Sequence, residues 1–298
     1  MRFVKPSVDI ITEPDLFKRI EIGARTCYKS EDKITDDSAE KMVKALIRRG
    51  HESPLEHSNI IAWFNMSAFT LFEGTLLAYT ESTNLHHFIH VSAPDNNFIY
   101  CGGNLRAWRA LAKETRDFPL IYELFGEHPA FKDLELKPTQ HIPDTECGLL
   151  NGPCGDSSID IVTARFICDR GVSHELVRHR VASFSQESTR YVNYEDGLTL
   201  VEPWWWPEQE TTDTAFIRAS CQAAEDAYRS LISSGASPQK ARCVLPNMLK
   251  TEVVMTATIE QWQTLILPLR LSKAAHPDIR RLMEMFCEKM NWNPDDYR

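Results

Sequence analysis

The sequence predicts a mixed helix-and-sheet fold of α/β or α+β type, a mixed sheet with flanking helices. Two observations carry this. Short β-rich segments, chiefly residues 59–66 and 159–168, are few and widely separated. Amphipathic helical patterns fill most of the chain between and after them. Composition agrees: 43% apolar and 25% charged residues are ordinary for a globular protein, which excludes extended disorder. At 298 residues the chain can bury a sizeable core without disulfide staples, in one large domain or about two smaller ones.

Thr12, Glu13 and Pro14 look like a helix start, with Leu16, Ile20 and Ile22 forming an apolar side before Gly23. A second helix is expected from Asp36-Asp37-Ser38, with Met42, Val43, Leu46 and Ile47 on one face and Gly50 as its stop. Residues 67–81 and 104–125 read as helical, and 126–157 as irregular and rich in turn residues. After the strand at 159–168, Asp169-Arg170-Gly171 turns the chain, and Ser173 is placed to cap a helix beginning at His174. Trp204, Trp205 and Trp206 read as packing residues at a contact, with ligand stacking as the alternative. A long helix is expected over 212–233, ended by Gly235, and Ser237-Pro238 opens the next. Residues 252–263 read as helical, Pro268 as a break or kink, and His276-Pro277 as the start of a last helix carrying Ile279, Leu282, Met283, Phe286 and Met290 on one side.

Lys and Arg number 33 against 42 Asp and Glu, a net charge of −9, which argues against a general nucleic-acid or anionic-membrane binder. Residues 1–14 lack the apolar run of a signal peptide, and no stretch approaches the ~20 apolar residues of a membrane helix. The eight cysteines form no C-x-x-C pair, and Cys147 with Cys154 is a weak zinc candidate at best. His86, His87 and His90 lack a Cys or acidic partner at ligand spacing, so no metal is expected. The expectation is a reduced, cytoplasmic protein.

Chemistry concentrates in residues 173–194, SHELVRHRVASFSQESTRYVNY. Arg178, His179, Arg180 and Arg190 fall within thirteen residues of an acidic chain, with Ser183, Ser185, Gln186, Ser188 and Thr189 between them. Planar guanidinium forks suit bidentate binding of phosphate or carboxylate. Hydroxyls add neutral donors, so the segment can form a compact anion site. A solvated, salt-bridged helix end would use the same residue types.

The spacing carries more. Arg178-His179-Arg180, seven residues, then Ser188 is the RHR-x7-S signature of flavin-dependent thymidylate synthases, and SQESTRY at 185–191 also resembles that family. GHESPLEH at 50–57 resembles the family's segment ending in Leu-Glu-His, ARTCY at 24–28 its N-terminal helix and loop, and RCVLP at 242–246 its R-x-x-L-P. Leu269-Arg270 with AHPDIR at 275–280 resembles its closing motif. The matches occur in the family's order and cover about 1–66 and 158–298.

The resemblance implies a thymidylate synthase-complementing-like fold in a single domain over 1–298, with an insertion or subdomain at about 67–157. It implies reductive methylation of dUMP to dTMP, with methylenetetrahydrofolate as carbon donor and NADPH as reductant through bound FAD, in a homotetramer whose sites lie between subunits. Arg270 would stabilise charge on the pyrimidine, and Ser188 would donate a hydrogen bond to the nucleotide. Glu175, Arg178, Gln186, Thr189, Arg190 and Arg242 complete the substrate set. Cys27, His57, Arg178, His179, Arg180, Gln186, Thr258 and Thr264 form the cofactor set. For His57 the alternative is a core histidine, and for Cys27 a buried apolar cysteine.

The chain departs from the family where Thr258 and Thr264 stand in place of common Asn residues and Glu260 in place of an Arg, and WQTLILPLR is one residue longer than usual. The block at 67–157 interrupts an expected pairing of the strands at 59–66 and 159–168. Within it Asn104 and Arg106 could meet an anion at a helix start or lie on a surface helix. A flavin- and folate-dependent hydroxymethylase, or a non-catalytic nucleotide-binding relative, would share these motifs.

Overall fold

The computed structural model describes residues 1–83, 89–93 and 97–298. His86 and His87 therefore lie outside the described residues. Strand β1 (Arg2–Val4) and strand β2 (Ser7–Ile10) open the chain, followed by helix α1 (Leu16–Tyr28) and helix α2 (Ser38–Arg48). Helix α1 begins later than expected from Thr12. Asp15 is its cap, its carboxylate accepting from the Lys18 N–H at 2.9 Å. The helix also runs through Gly23, whose missing side chain leaves room for the His57 ring. Helix α2 matches expectation: Asp37 precedes it, and Gly50 comes just after its end at φ 67°.

Strand β3 (Ile60–Asn65) passes into helix α3 (Met66–Thr83). Then come β4 (Ile89–Ser92), β5 (Phe98–Gly103), α4 (Leu105–Glu114), α5 (Pro119–Phe125) and β6 (Cys147–Leu150). These strands form one four-stranded sheet in the order β4-β5-β3-β6. The expected pairing of β3 with the strand near 159–168 does not occur. Instead β5 and β6 occupy both edges of β3, leaving it no free backbone groups for that pairing. Helix α4 is no surface helix either: Leu105, Ala107, Trp108, Leu111 and Ala112 are buried, and the Trp108 indole donates to the Ile60 carbonyl at 2.9 Å.

Strand β7 (Ile161–Asp169) runs straight into helix α6 (Arg170–Leu176). The expected turn at 169–171 and Ser173 cap are both displaced. Asp169 caps the helix by accepting from the Val172 N–H at 2.7 Å, while the Ser173 hydroxyl donates back to the Arg170 carbonyl. Strands β8 (Ser183–Gln186) and β9 (Thr199–Val201) come next, then α7 (Thr212–Ser233) over the expected span and the short α8 (Pro238–Ala241). β9 pairs in parallel with β1. Trp206 stacks on Phe3 with centroids 4.9 Å apart, whereas Trp204 and Trp205 stand exposed.

The clearest correction falls at 252–263, expected to be helical. Lys250–Thr258 is strand β10, an inner strand of the second sheet, ordered β2-β7-β10-β8. Its KTEVVMTAT sequence is rich in β-branched residues, and its buried neighbours on both sides outweigh the weak helical spacing. Helix α9 (Ile259–Gln261) then leads into a π-helical turn over Trp262–Ile266 and helix α10 (Leu267–Leu271). The Leu267 N–H reaches the Trp262 carbonyl, five residues back. That wide turn takes up an extra residue, and Pro268 falls in the first turn of α10, where its missing N–H does little harm. Helix α11 (Pro277–Met290) buries Ile279, Leu282, Met283 and Phe286 against this sheet.

Candidate functional site

The signature residues gather around β8, at the edge of the second sheet. Pairing with β10 sets their directions. Ser183 lies opposite Thr256 and Ser185 opposite Val254, on the face covered by α1; Phe184 and Gln186 point to the other face. On that second face the Gln186 amide donates to the Ser173 hydroxyl at 2.9 Å and to the Thr251 hydroxyl at 3.2 Å.

Arg270, on α10, forms the centre of one cluster. Its Nη1 donates to Glu175 Oε2 at 2.8 Å, its Nη2 to the Glu175 carbonyl at 2.7 Å, and its Nε to His179 Nε2 at 2.8 Å. His179 must accept at Nε2 and is therefore neutral. Burial, and then the adjacent guanidinium, lower its pKa to about 4. A guanidinium has five N–H donors, so Arg270 stays oriented by Glu175 and His179 while two donors remain for a ligand. The Glu175 carboxylate is thus engaged with Arg270 before any substrate enters. Arg178 and Arg180 flank His179, are exposed, and have no ion pair among the described residues.

A second cluster lies at the far end of β8. The Ser188 N–H donates to the Cys27 carbonyl at 3.1 Å, and its hydroxyl accepts from the Arg190 N–H at 3.3 Å. The Cys27 thiol sits beside Ser185; burial raises its pKa, against the opposing hydrogen bonds of Ser185 and the Gln186 backbone. Cys27 is therefore a protonated thiol near neutral pH. Arg190 lies 5.4 Å over the Tyr191 ring and reaches Gln239 at 3.4 Å, three residues before Arg242. Arg190 and Arg242 are exposed, again without an ion pair among the described residues. Thr189 is half-buried beside them.

Between β10, the start of α4 and the approach to β8 lies a small pocket. Its walls include Asn59, Asn104, Val181, Ser183, Thr256, Thr258 and Gln261. Thr258 forms a reciprocal cap with Gln261: its hydroxyl accepts from the Gln261 N–H at 3.2 Å, and its own N–H donates to Gln261 Oε1 at 3.0 Å. Sequence reasoning missed Gln261, although T-x-x-Q is the pattern of such a cap. Thr264 does not line this pocket; it is exposed and donates to the Glu260 carbonyl. Asn104 is a wall residue but also caps α4, while Arg106 is engaged by Glu56 at 2.5 Å.

His57 lies behind Thr256, one of the pocket walls, and is fully buried. Nδ1 lies 2.8 Å from the Thr256 hydroxyl, which contacts the Thr163 hydroxyl at 2.9 Å. Nε2 is buried without a hydrogen-bond partner. Burial, aided by the charge of Arg19, lowers the His57 pKa to about 4. A larger cleft, about 720 Å³, opens between β3, β6 and the start of α1, lined by Asp15, Arg19 and His128; none of the sequence-predicted site residues borders it. No group of three or more potential metal ligands occurs among the described residues.

Several known proteins resemble this chain. A flavin-dependent thymidylate synthase of Geobacter sulfurreducens is 43% identical over 88 residues, 29% of this chain and 38% of that protein. One from Mycolicibacterium gilvum is 34% identical over 128 residues, 38% of this chain and 50% of its own length. The chain thus spans half or less of these curated relatives. Among solved structures, a UMP/dUMP methylase, PolB, of Streptomyces cacaoi with 5-Br dUMP aligns over 97% of this chain and 90% of its own, at 16% identity and TM-score 0.40. A ThyX of Helicobacter pylori with FAD and dUMP aligns over 43% of this chain and 66% of its own, at 22% identity and TM-score 0.35. The sequence model of the thymidylate synthase complementing protein family matches residues 10–73 and 159–294, about two-thirds of the chain, and so takes in the β8 segment, His57 and Arg270 together. The chain belongs to that family.

Proposed function

We propose that this protein is a flavin-dependent thymidylate synthase that methylates dUMP to dTMP. The observation that carries the reading is the set of arginines around β8. Arg178, Arg180, Arg190 and Arg242 are exposed and unpaired among the described residues, while Arg270 is held in a fixed orientation by Glu175 and neutral His179. Guanidinium groups without ion pairs, beside hydroxyls, fit a phosphate. An oriented, largely buried guanidinium fits a developing charge.

In this reading Arg178, Arg190 and Arg242 bind the nucleotide, chiefly its phosphate, with Thr189 beside them. Ser188 donates a hydrogen bond to the nucleotide and is no nucleophile: its hydroxyl has no adjacent base among the described residues. Arg270 uses its two remaining N–H donors to stabilise negative charge as the pyrimidine becomes nucleophilic at C5. Glu175 sets the Arg270 fork, and Gln186 borders both ligands.

Two features of the structure fit FAD: the cations Arg178 and Arg180, exposed without ion pairs among the described residues, and the polar wall that Asn59, Asn104, Thr258 and Gln261 give the small pocket. Arg178, Arg180, His179, Cys27, Gln186 and Thr258 would hold it, with Thr264 and His57 as outer members of the set. FAD supplies the hydride chemistry when bound. In the same proposal methylenetetrahydrofolate gives the carbon, NADPH is the reductant, and the working form is a cytoplasmic homotetramer. The block at about 67–157 is proposed as an insertion in a single domain, supported by the family match resuming only at 159.

The test is the visible spectrum of the FAD-reconstituted protein with and without dUMP, then product mass. Flavin bands that shift on adding dUMP, and a product heavier by one methylene unit, support the reading. A hydroxymethyl product moves the activity to the alternative chemistry, and a chain that binds neither ligand refutes it. The Arg270→Ala variant is expected to lose turnover by a factor of roughly 10² or more while keeping FAD. Substantial residual dTMP formation would remove Arg270 from the chemical step.

A further inference from the structure

Glu187 lies between two residues assigned to ligands, Gln186 and Ser188, yet points away from them into the protein. It is 3% exposed. Its carboxylate accepts from the Tyr194 hydroxyl at 2.9 Å and from Lys250 Nζ at 3.0 Å. Its N–H donates to the Glu252 carbonyl at 2.9 Å, and its carbonyl accepts from Arg170 Nη1 at 3.4 Å. Every polar group of Glu187 is therefore engaged, and none faces a ligand.

The contacts continue as a line of alternating charge. Lys250 also bonds Glu252, whose Oε1 accepts from Lys29 Nζ at 2.8 Å, and Lys29 reaches Glu31 at 3.2 Å. Lys29 ends α1 in the left-handed conformation, at φ 48°. Two residues earlier, the Cys27 carbonyl accepts the Ser188 N–H. The end of α1 is thus tied to the segment at 187–191, just after β8, twice: once through the backbone and once through Lys29, Glu252, Lys250 and Glu187.

A buried ion pair adds little net stability over well-packed apolar residues, because desolvation cancels most of the attraction, but it is strict about geometry. Apolar side chains would have served packing alone. We infer that Glu187, held by Lys250, is a positioning residue for nucleotide binding, setting the backbone of the turn that presents Ser188 and Arg190. It acts through that turn and touches no substrate. The inference rests on the nucleotide reading proposed for this site.

The experiment titrates dUMP into the FAD-loaded full-length protein and monitors the flavin spectrum. Glu187→Gln and Lys250→Met are expected to raise the dUMP dissociation constant roughly tenfold or more, with FAD affinity nearly unchanged. The double variant is expected to be no weaker than the worse single one, since both changes break one unit. Lys29→Met, at the half-exposed end of the line, should weaken dUMP in the same direction by less. A dUMP affinity within about twofold of wild type in folded Glu187→Gln and Lys250→Met overturns the inference. Equal loss of FAD and dUMP affinity also overturns it, as the mark of a general structural role. Should both central variants fail to fold, Lys29→Met decides, and unchanged dUMP affinity there counts against the inference. A wild-type protein that binds FAD but not dUMP refutes the functional reading itself, before any variant is compared.

Discussion

His179 and His57 share a physical state for different reasons. His179 is neutral because it is buried against Arg270, and His57 because it is buried outright and close to Arg19. Both folded pKa values are near 4, below the ordinary histidine value of about 6.5. Above about pH 6.5 both histidines are neutral folded or unfolded and stability is flat. Between about 6.5 and 4 the unfolded chain takes up protons that the folded chain does not, so stability falls as pH falls. Each histidine contributes a slope of about 1.4 kcal/mol per pH unit within that window. Urea unfolding at about pH 8, 6.5 and 5 checks this: nearly equal midpoints at the first two and a lower one at the third are expected. A midpoint unchanged at the lowest pH would mean that both rings take up protons in the folded state. The residue scale was also the most legible. The RHR-x7-S spacing singled out Arg178, His179, Arg180 and Ser188 from the sequence. The dependence of Arg270 on Glu175 and His179 joins residues far apart in the chain, which no spacing rule reaches.

Helices and strands show local preference losing where burial opposes it. Residues 252–263 alternate weakly enough to pass as a helix, but β10 is flanked by β7 and β8, and those backbone bonds decide. Thr12 looked like a cap, yet Asp15 is one, because its carboxylate reaches the Lys18 N–H. Gly23 in α1 allows a test of sign. Helix propensity favours Gly→Ala by about 1 kcal/mol. A Cβ at position 23, however, would lie 2.5 Å from Cδ2 of the fully buried His57 ring. Overpacking of that kind costs roughly 1–3 kcal/mol, so Gly23→Ala is expected to destabilise on balance. Gly74 in α3 has open space at the same atom, and Gly74→Ala should instead stabilise. Chemical unfolding of both variants is the check; a Gly23→Ala midpoint at or above wild type would show that the ring yields. The π-helical turn at Trp262–Ile266 is the counterpart at the other end of the site. An extra residue in a regular helix rotates the downstream side chains by about 100°. The wide turn absorbs it, leaving Trp262 stacked on Phe286 at 4.2 Å and Arg270 facing Glu175.

At the scale of the molecule, two four-stranded sheets are each backed by their own apolar core. One core joins α1, α2 and β3 to α3, α4 and α5; the other joins β7 and β10 to α10 and α11. The block after residue 73 therefore covers both edges of β3 and fills much of the first core. Removing residues 74–158 should expose those edges and the apolar face of α1, giving a chain that aggregates. Size-exclusion chromatography and circular dichroism of the deletion variant test this, and a soluble, folded product would show the block to be dispensable for folding. By itself the sequence determined the family resemblance, the mixed fold, the spans of most helices and the cluster of ligand-binding residue types, because motif spacing and helical periodicity are local properties. Tertiary structure alone decided the partners of β3, the strand at 250–258, the Asp169 cap, the burial of His57 and the line of charge from Lys29 to Glu187. Each of these depends on which distant segment removes a group from water, and desolvation is a property of the assembled fold.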